Sequence, residues 1–183
     1  AGKGPTVINQ SLKVGQRVGV GWFSGSDMHC RQCMSGNHHL CPNAQATTIG
    51  HRGGFASHVR AHWAWVIPLP EKLNVADAGP LLCGGITVFS PLMMHAKPMD
   101  RIGIIGIGGL GHMAVKFAAA YGCEVTAFTS SERKFDEARS FGATHVVSSK
   151  DSAAIKKLAG TLDLLISTVN VPLDWEAMLS TLA

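Results

Sequence analysis

The chain has 183 residues, 46% hydrophobic and 15% charged, with a formal net charge of +4, an ordinary globular composition sized for one domain or two small or incomplete ones. The charge is mild and no run of Lys or Arg occurs, which argues against nucleic acid or a membrane surface as a partner. No apolar stretch is expected to approach the ~20 residues that span a bilayer, and the opening AGKGPTVINQ lacks the charged start and apolar block of a signal peptide. Opening without Met, the chain reads as a piece of a longer one.

Residues 12–23 read as a turn at Val14-Gly15 followed by a strand of alternating valines. Residues 24–53 hold three cysteines, four of the nine histidines and almost no periodicity, so they are expected to form a loop lobe. A loop of ~30 residues is uncommon in a folded domain unless something staples it. Alternation over 54–67 predicts a second strand, which Pro68 and Pro70 close. Asn74 to Asp77 opens a helix carrying Ala78 to Leu82 towards Gly84-Gly85. From Arg101 the pattern changes to strands at 101–105, 124–129, 145–147 and 162–167, with helices at 110–121, 131–141 and 152–158 between them. That alternation predicts a parallel, doubly wound sheet of Rossmann type.

Three cysteines fall within twelve residues, as Cys30-x2-Cys33-x7-Cys41. Thiolates at such spacing suit tetrahedral zinc, and a closed site needs a fourth ligand. Asp27 continues the every-third-residue rhythm of Cys30 and Cys33; His29, His38 and His39 are rival candidates. The plainer reading, three unliganded thiols on a loop, leaves an oxidation liability. Five cysteines, an odd number, suit a metal knuckle in a reducing, cytoplasmic setting better than a disulfide framework. Cys83 and Cys123 by themselves read as small core residues.

Between the strand at 101–105 and its following helix lies Gly106-Ile107-Gly108-Gly109-Leu110-Gly111. A lone G-x-G-x-x-G is weak; strand before, helix after and a second strand a dozen residues on make it a dinucleotide turn. Gly106 permits the turn, Gly108 lets backbone approach a pyrophosphate, and Gly111 lets helix and strand pack. The helix N-terminus then offers N–H groups to phosphate. The second strand ends in Thr129-Ser130-Ser131-Glu132-Arg133-Lys134, with no acid at its tip. An NAD site wants a carboxylate there for the ribose; hydroxyls with Arg133 or Lys134 suit the 2′-phosphate of NADP(H). Glu132 is discordant unless it faces solvent.

These motifs, in this order, resemble the medium-chain zinc alcohol dehydrogenases. Asp27, Cys30, Cys33 and Cys41 stand where the family's structural-zinc lobe usually has four cysteines. Gly79 to Val88 resembles the segment with the last catalytic-zinc cysteine, and Gly106 to Met113 the family's nucleotide turn. With Thr168-Val169-Asn170 after the fourth strand, the set is most similar to the cinnamyl-alcohol-dehydrogenase-like branch, which includes bacterial NADPH-dependent aldehyde reductases. The resemblance implies part of a GroES-like β domain over 1–66, a Rossmann NADP-binding part over 67–183, and Cys83 as a catalytic-zinc ligand. It also implies Thr87 near the nicotinamide end and Thr168 against the cofactor. The expected activity is zinc-assisted, NADP(H)-dependent interconversion of primary alcohols and aldehydes, by a protein that is a homodimer when intact. The family's other catalytic-zinc ligands include a His-Glu pair, which residues 1–183 lack, so the chain by itself is expected to be inactive. Two other readings are a zinc-free quinone or enoyl reductase, which leaves the cysteines unexplained, and a non-catalytic nucleotide- and zinc-binding module.

Overall fold

The structure, a computed structural model, describes residues 12–183 and divides between Cys83 and Gly84 into two units of different construction. In the first unit the valine run forms β1 (Val18–Val20), and Gly21 and Trp22 separate it from β2 (Phe23–Gly25). The expected single strand is thus broken at Gly21, and both Gly19, within β1, and Gly21 lie against Leu82. A Cβ on Gly19 would overlap the Leu82 side chain, and one on Gly21 would stand 3.0 Å from the Leu82 carbonyl oxygen. The lobe contributes one helical turn, α1 (Arg31–Met34), and a two-residue strand, β3 (Gln45–Ala46), which pairs antiparallel with β2.

The strand expected over 54–67 is largely absent. Residues 54–62 are in no strand, Trp63–Trp65 make a 3-10 turn, and only β4 (Val66–Pro68) pairs, antiparallel to β1. Alternation makes a strand only where a ladder partner exists, and β1 offers three residues, all taken by β4. Phe55 lies fully exposed.

Asn74 caps α2 (Val75–Pro80) through its side-chain oxygen, which accepts from the Ala76 N–H at 3.2 Å. The helical run does not stop at Gly84-Gly85. It passes through a single π turn, Leu81–Gly85, into α3 (Ile86–His95). Pro80 supplies no N–H to the helical ladder just before that turn. Residues 75–95 are therefore long and apolar enough to cross a membrane by length and composition, contrary to expectation. Pro80 and Pro91 lie within the run.

The second unit follows the sequence closely. β5 (Arg101–Ile105), α4 (Gly111–Tyr121), β6 (Glu124–Thr129), α5 (Phe135–Ser140), β7 (His145–Ser148), α6 (Ser152–Lys156), β8 (Leu164–Ser167) and α7 (Trp175–Leu179) alternate. The sheet has the order β7-β6-β5-β8, all parallel. Ile102, Ile104, Val125, Ala127 and Phe128 are wholly buried, as continuous apolar strands covered by helices should be. The helix expected over 131–141 starts as a 3-10 turn, Glu132–Lys134, and Gly142 follows it with φ 110°. The strand expected over 162–167 starts at Leu164; Leu162 instead bridges Leu182.

Candidate functional site

In the lobe, the ligand atoms of Asp27, Cys30, Cys33 and Cys41 all lie within 4.8 Å of one another. None of the three rival histidines belongs to that group. The His29 Nδ1 is 2.7 Å from the Asp27 carbonyl oxygen, and His38 sets its ring edge-on to Trp65 at 5.9 Å. Met28, at φ 64°, bends the backbone so that the His29 and Cys30 N–H groups both donate to Asp27 Oδ1 at 3.0 Å. Asn43 Nδ2 donates to Asp27 Oδ2 at 3.1 Å. The Cys30 N–H first, then that of His29, holds the Asp27 carboxyl well below the usual carboxylate range.

The sulfurs are prepared similarly. Cys30 Sγ accepts from the Cys33 N–H at 3.5 Å, and Cys41 Sγ from the Asn43 N–H at 3.3 Å. Burial pushes the Cys33 thiol up to about 11, so a cation is needed to draw its proton off at neutral pH. None of the five cysteines is in a disulfide. A tetrahedral ion with bonds of ~2.0–2.3 Å sets its ligands ~3.3–3.8 Å apart, inside the 4.8 Å that bounds this cluster. Three sulfurs and one carboxylate oxygen fit zinc. Cys83 lies outside this group, exposed in the π turn.

In the second unit, the strand ends line an open cleft of about 270 Å³. Gly106, Ile107, Gly108, Thr129, Ser130, Ser131, Lys134 and Thr168 line it together, whereas Gly109, Leu110, Gly111 and the exposed Arg133 do not. Each glycine behaves as its place requires. Gly106 sits at φ 89°, a Cβ on Gly111 would overlap the Gly106 carbonyl, and one on Gly108 would meet open space. A glycine that no protein atom crowds, at a helix N-terminus, fits close approach by a ligand. The Thr168 hydroxyl lies 2.9 Å from both the Ile105 and the Gly106 carbonyl oxygens, tying β8 to the turn. Lys134 Nζ donates to the Ile107 carbonyl at 2.6 Å. Glu132 is exposed, and Thr87 stands exposed on α3. Sequence reasoning missed Ser149, Val171 and Leu173, which also line the cleft; Ser149 follows the end of a parallel strand, where ligands of such sheets gather.

Residues 109–183 match the family model for a zinc-binding dehydrogenase, and residues 2–71 that for an alcohol dehydrogenase GroES-like domain. The chain belongs to the zinc-binding dehydrogenases. It is 52% identical over 173 residues to the aldehyde reductase AdhA of Synechocystis, covering 94% of this chain and 52% of that protein. A cinnamyl alcohol dehydrogenase from Sorghum bicolor superposes with a TM-score of 0.83 at 37% identity, covering 94% of this chain and 52% of that one. The structure of the Helicobacter pylori enzyme complexed with NADP(H) gives a TM-score of 0.82 at 32% identity, with coverages of 95% and 52%. The chain thus spans about half the length of the relatives it matches.

Proposed function

We propose that the full-length protein interconverts primary alcohols and aldehydes with NADP(H), chiefly reducing aldehydes, and that the cysteine lobe holds one structural zinc ion. The observation that carries the cofactor choice is the cleft lining. Ser130, Ser131 and Lys134 share it with the glycine turn, and no lining residue is acidic. A carboxylate there would repel a 2′-phosphate; two hydroxyls and an ammonium attract one. NADPH, when bound, supplies the hydride for aldehyde reduction. The turn's N–H groups hold the pyrophosphate, the two serines and Lys134 hold the 2′-phosphate, and Arg133 adds a cation outside the cleft. The likeness to a relative solved with NADP(H) supports this reading.

Thr87 and Thr168 are assigned to the cofactor by the same family likeness, and Cys83 to a catalytic zinc. A catalytic zinc takes three protein ligands, so Cys83 is one of several and turnover is proposed of the full-length protein. The thiol-rich lobe favours a reducing, cytoplasmic compartment, and the family likeness a homodimer.

The test is the ratio of kcat/KM for NADPH and NADH with an aldehyde. Two or three charge-assisted contacts support a preference of about a hundredfold or more for NADPH. Ser130→Asp should reverse it, by adding a ribose acceptor and repelling the phosphate. A wild-type preference for NADH would overturn the assignment.

A further inference from the structure

Three successive carbonyls of the glycine turn are each met by a side chain from a different element. The Thr168 hydroxyl lies 2.9 Å from the Gly106 oxygen, Lys134 Nζ 2.6 Å from that of Ile107, and His112 Nδ1 3.0 Å from that of Gly108. A carbonyl only accepts, so His112 Nδ1 carries the hydrogen and donates it. The Gly108 oxygen also accepts the His112 backbone N–H at 3.0 Å, which fills both its lone pairs. The His112 ring is itself held against Phe141, at 5.5 Å between centroids.

We infer that His112 is a positioning residue for the dinucleotide, acting through the Gly108 carbonyl; this rests on the nucleotide reading above. A peptide unit is planar and trans, so a carbonyl held on one side sends the following N–H to the other. Pinning the oxygens of Ile107 and Gly108 thereby aims the N–H groups of Gly108 and Gly109, the kind that a phosphate takes at a helix start. These two glycines need such a device. A Cβ at either would meet nothing within 4 Å, so no neighbour crowds the side-chain position of either residue, and glycine visits many conformations. With the clamp, the turn is ordered before the cofactor arrives; without it, binding bears the ordering cost.

The experiment titrates NADPH and NADH against the full-length protein and two variants, following Kd and Tm. His112→Leu keeps an apolar contact for Phe141 but has no donor; His112→Asn keeps a donor that can reach the same carbonyl. The Leu variant should weaken both cofactors by a similar factor of about five, leaving their ratio and the Tm unchanged, and the Asn variant should recover part of the loss. Unaltered affinity in His112→Leu, with normal wild-type binding, overturns this inference alone. So does a loss confined to NADPH, which would make His112 a 2′-phosphate contact. A wild-type protein that binds neither cofactor overturns the nucleotide reading and this inference with it.

Discussion

The strands β5 and β6 are ordered by what they bury: Ile102, Ile104, Val125, Ala127 and Phe128 are all at 0% exposure. Between residues 24 and 53 the buried apolar side chains are those of Cys33 and Cys41, beside the polar Ser24 and Thr47. Burying a large apolar side chain contributes ~1.5–3 kcal/mol, so the sheet is a scaffold before any ligand arrives. The lobe has no such source, and its two buried apolar side chains are thiols of the proposed metal site. A nucleotide meets a site already built; a metal ion, on this reading, completes the fold around itself.

Metal removal should separate the two regions most sharply. Binding of a structural zinc is worth on the order of 10 kcal/mol in small zinc domains. Chelation or Cys33→Ser should release one zinc per lobe and strip hydrogen-exchange protection from residues 24–53, while β5 and β6 stay protected. Protein purified without chelator and found free of zinc would break the comparison.

The converse lesion is Phe128→Ala. A buried aromatic truncated to Ala costs ~3–5 kcal/mol, so protection of the second unit should fall while the zinc content holds.

Within the turn, two glycines sharpen the distinction between scaffold and site. Gly111→Ala forces a methyl onto the Gly106 carbonyl and should destabilise the second unit by roughly 1–3 kcal/mol or more, seen as a lower Tm. Gly108→Ala meets open space, so Tm should hardly move while NADPH affinity falls. Equal losses of Tm in the two variants would contradict the reading of Gly108 as a ligand-approach position.

The smallest effect concerns the strand pair β5–β8. Arg101 Nε and Nη2 donate to the Asp163 carboxylate at 3.0 and 2.8 Å, and the Arg101 backbone N–H donates to Oδ2 at 2.9 Å. The Arg101 side chain first, then its N–H, lowers the Asp163 carboxyl from 3.8 to about 2. A depressed carboxyl stabilises above its unfolded value and loses that contribution as pH falls through its folded value. Asp163→Asn should therefore lower Tm slightly at pH 7, since the pair is partly exposed. The difference from wild type should close between about pH 4 and pH 2.

The Rossmann half was legible because each of its signals is local. A buried parallel strand is a short apolar run, and its following helix starts at a glycine turn, so β5 and β6 were placed to the residue. The helix at 75 was legible at its start, where Asn74 is a cap, but not at its end. Gly84-Gly85 reads as a stop, yet the run passes on through a π turn. Residues 54–67 failed for a different reason: alternation states which face could be buried, not whether a partner strand is there.

By itself the sequence determined the chemistry on offer: three soft sulfurs and a carboxylate at ligand spacing, and a glycine turn with hydroxyls and cations at the next strand's tip. Those follow from residue type and short-range spacing. Only the tertiary structure decided which of these groups meet. It gathered Asp27 rather than a histidine with the thiols, because an αL backbone at Met28 turns two N–H groups onto that carboxylate. It also brought Lys134 onto the Ile107 carbonyl of the glycine turn. Lys134 lies 27 residues beyond Ile107, and that distance closes only when β6 pairs beside β5.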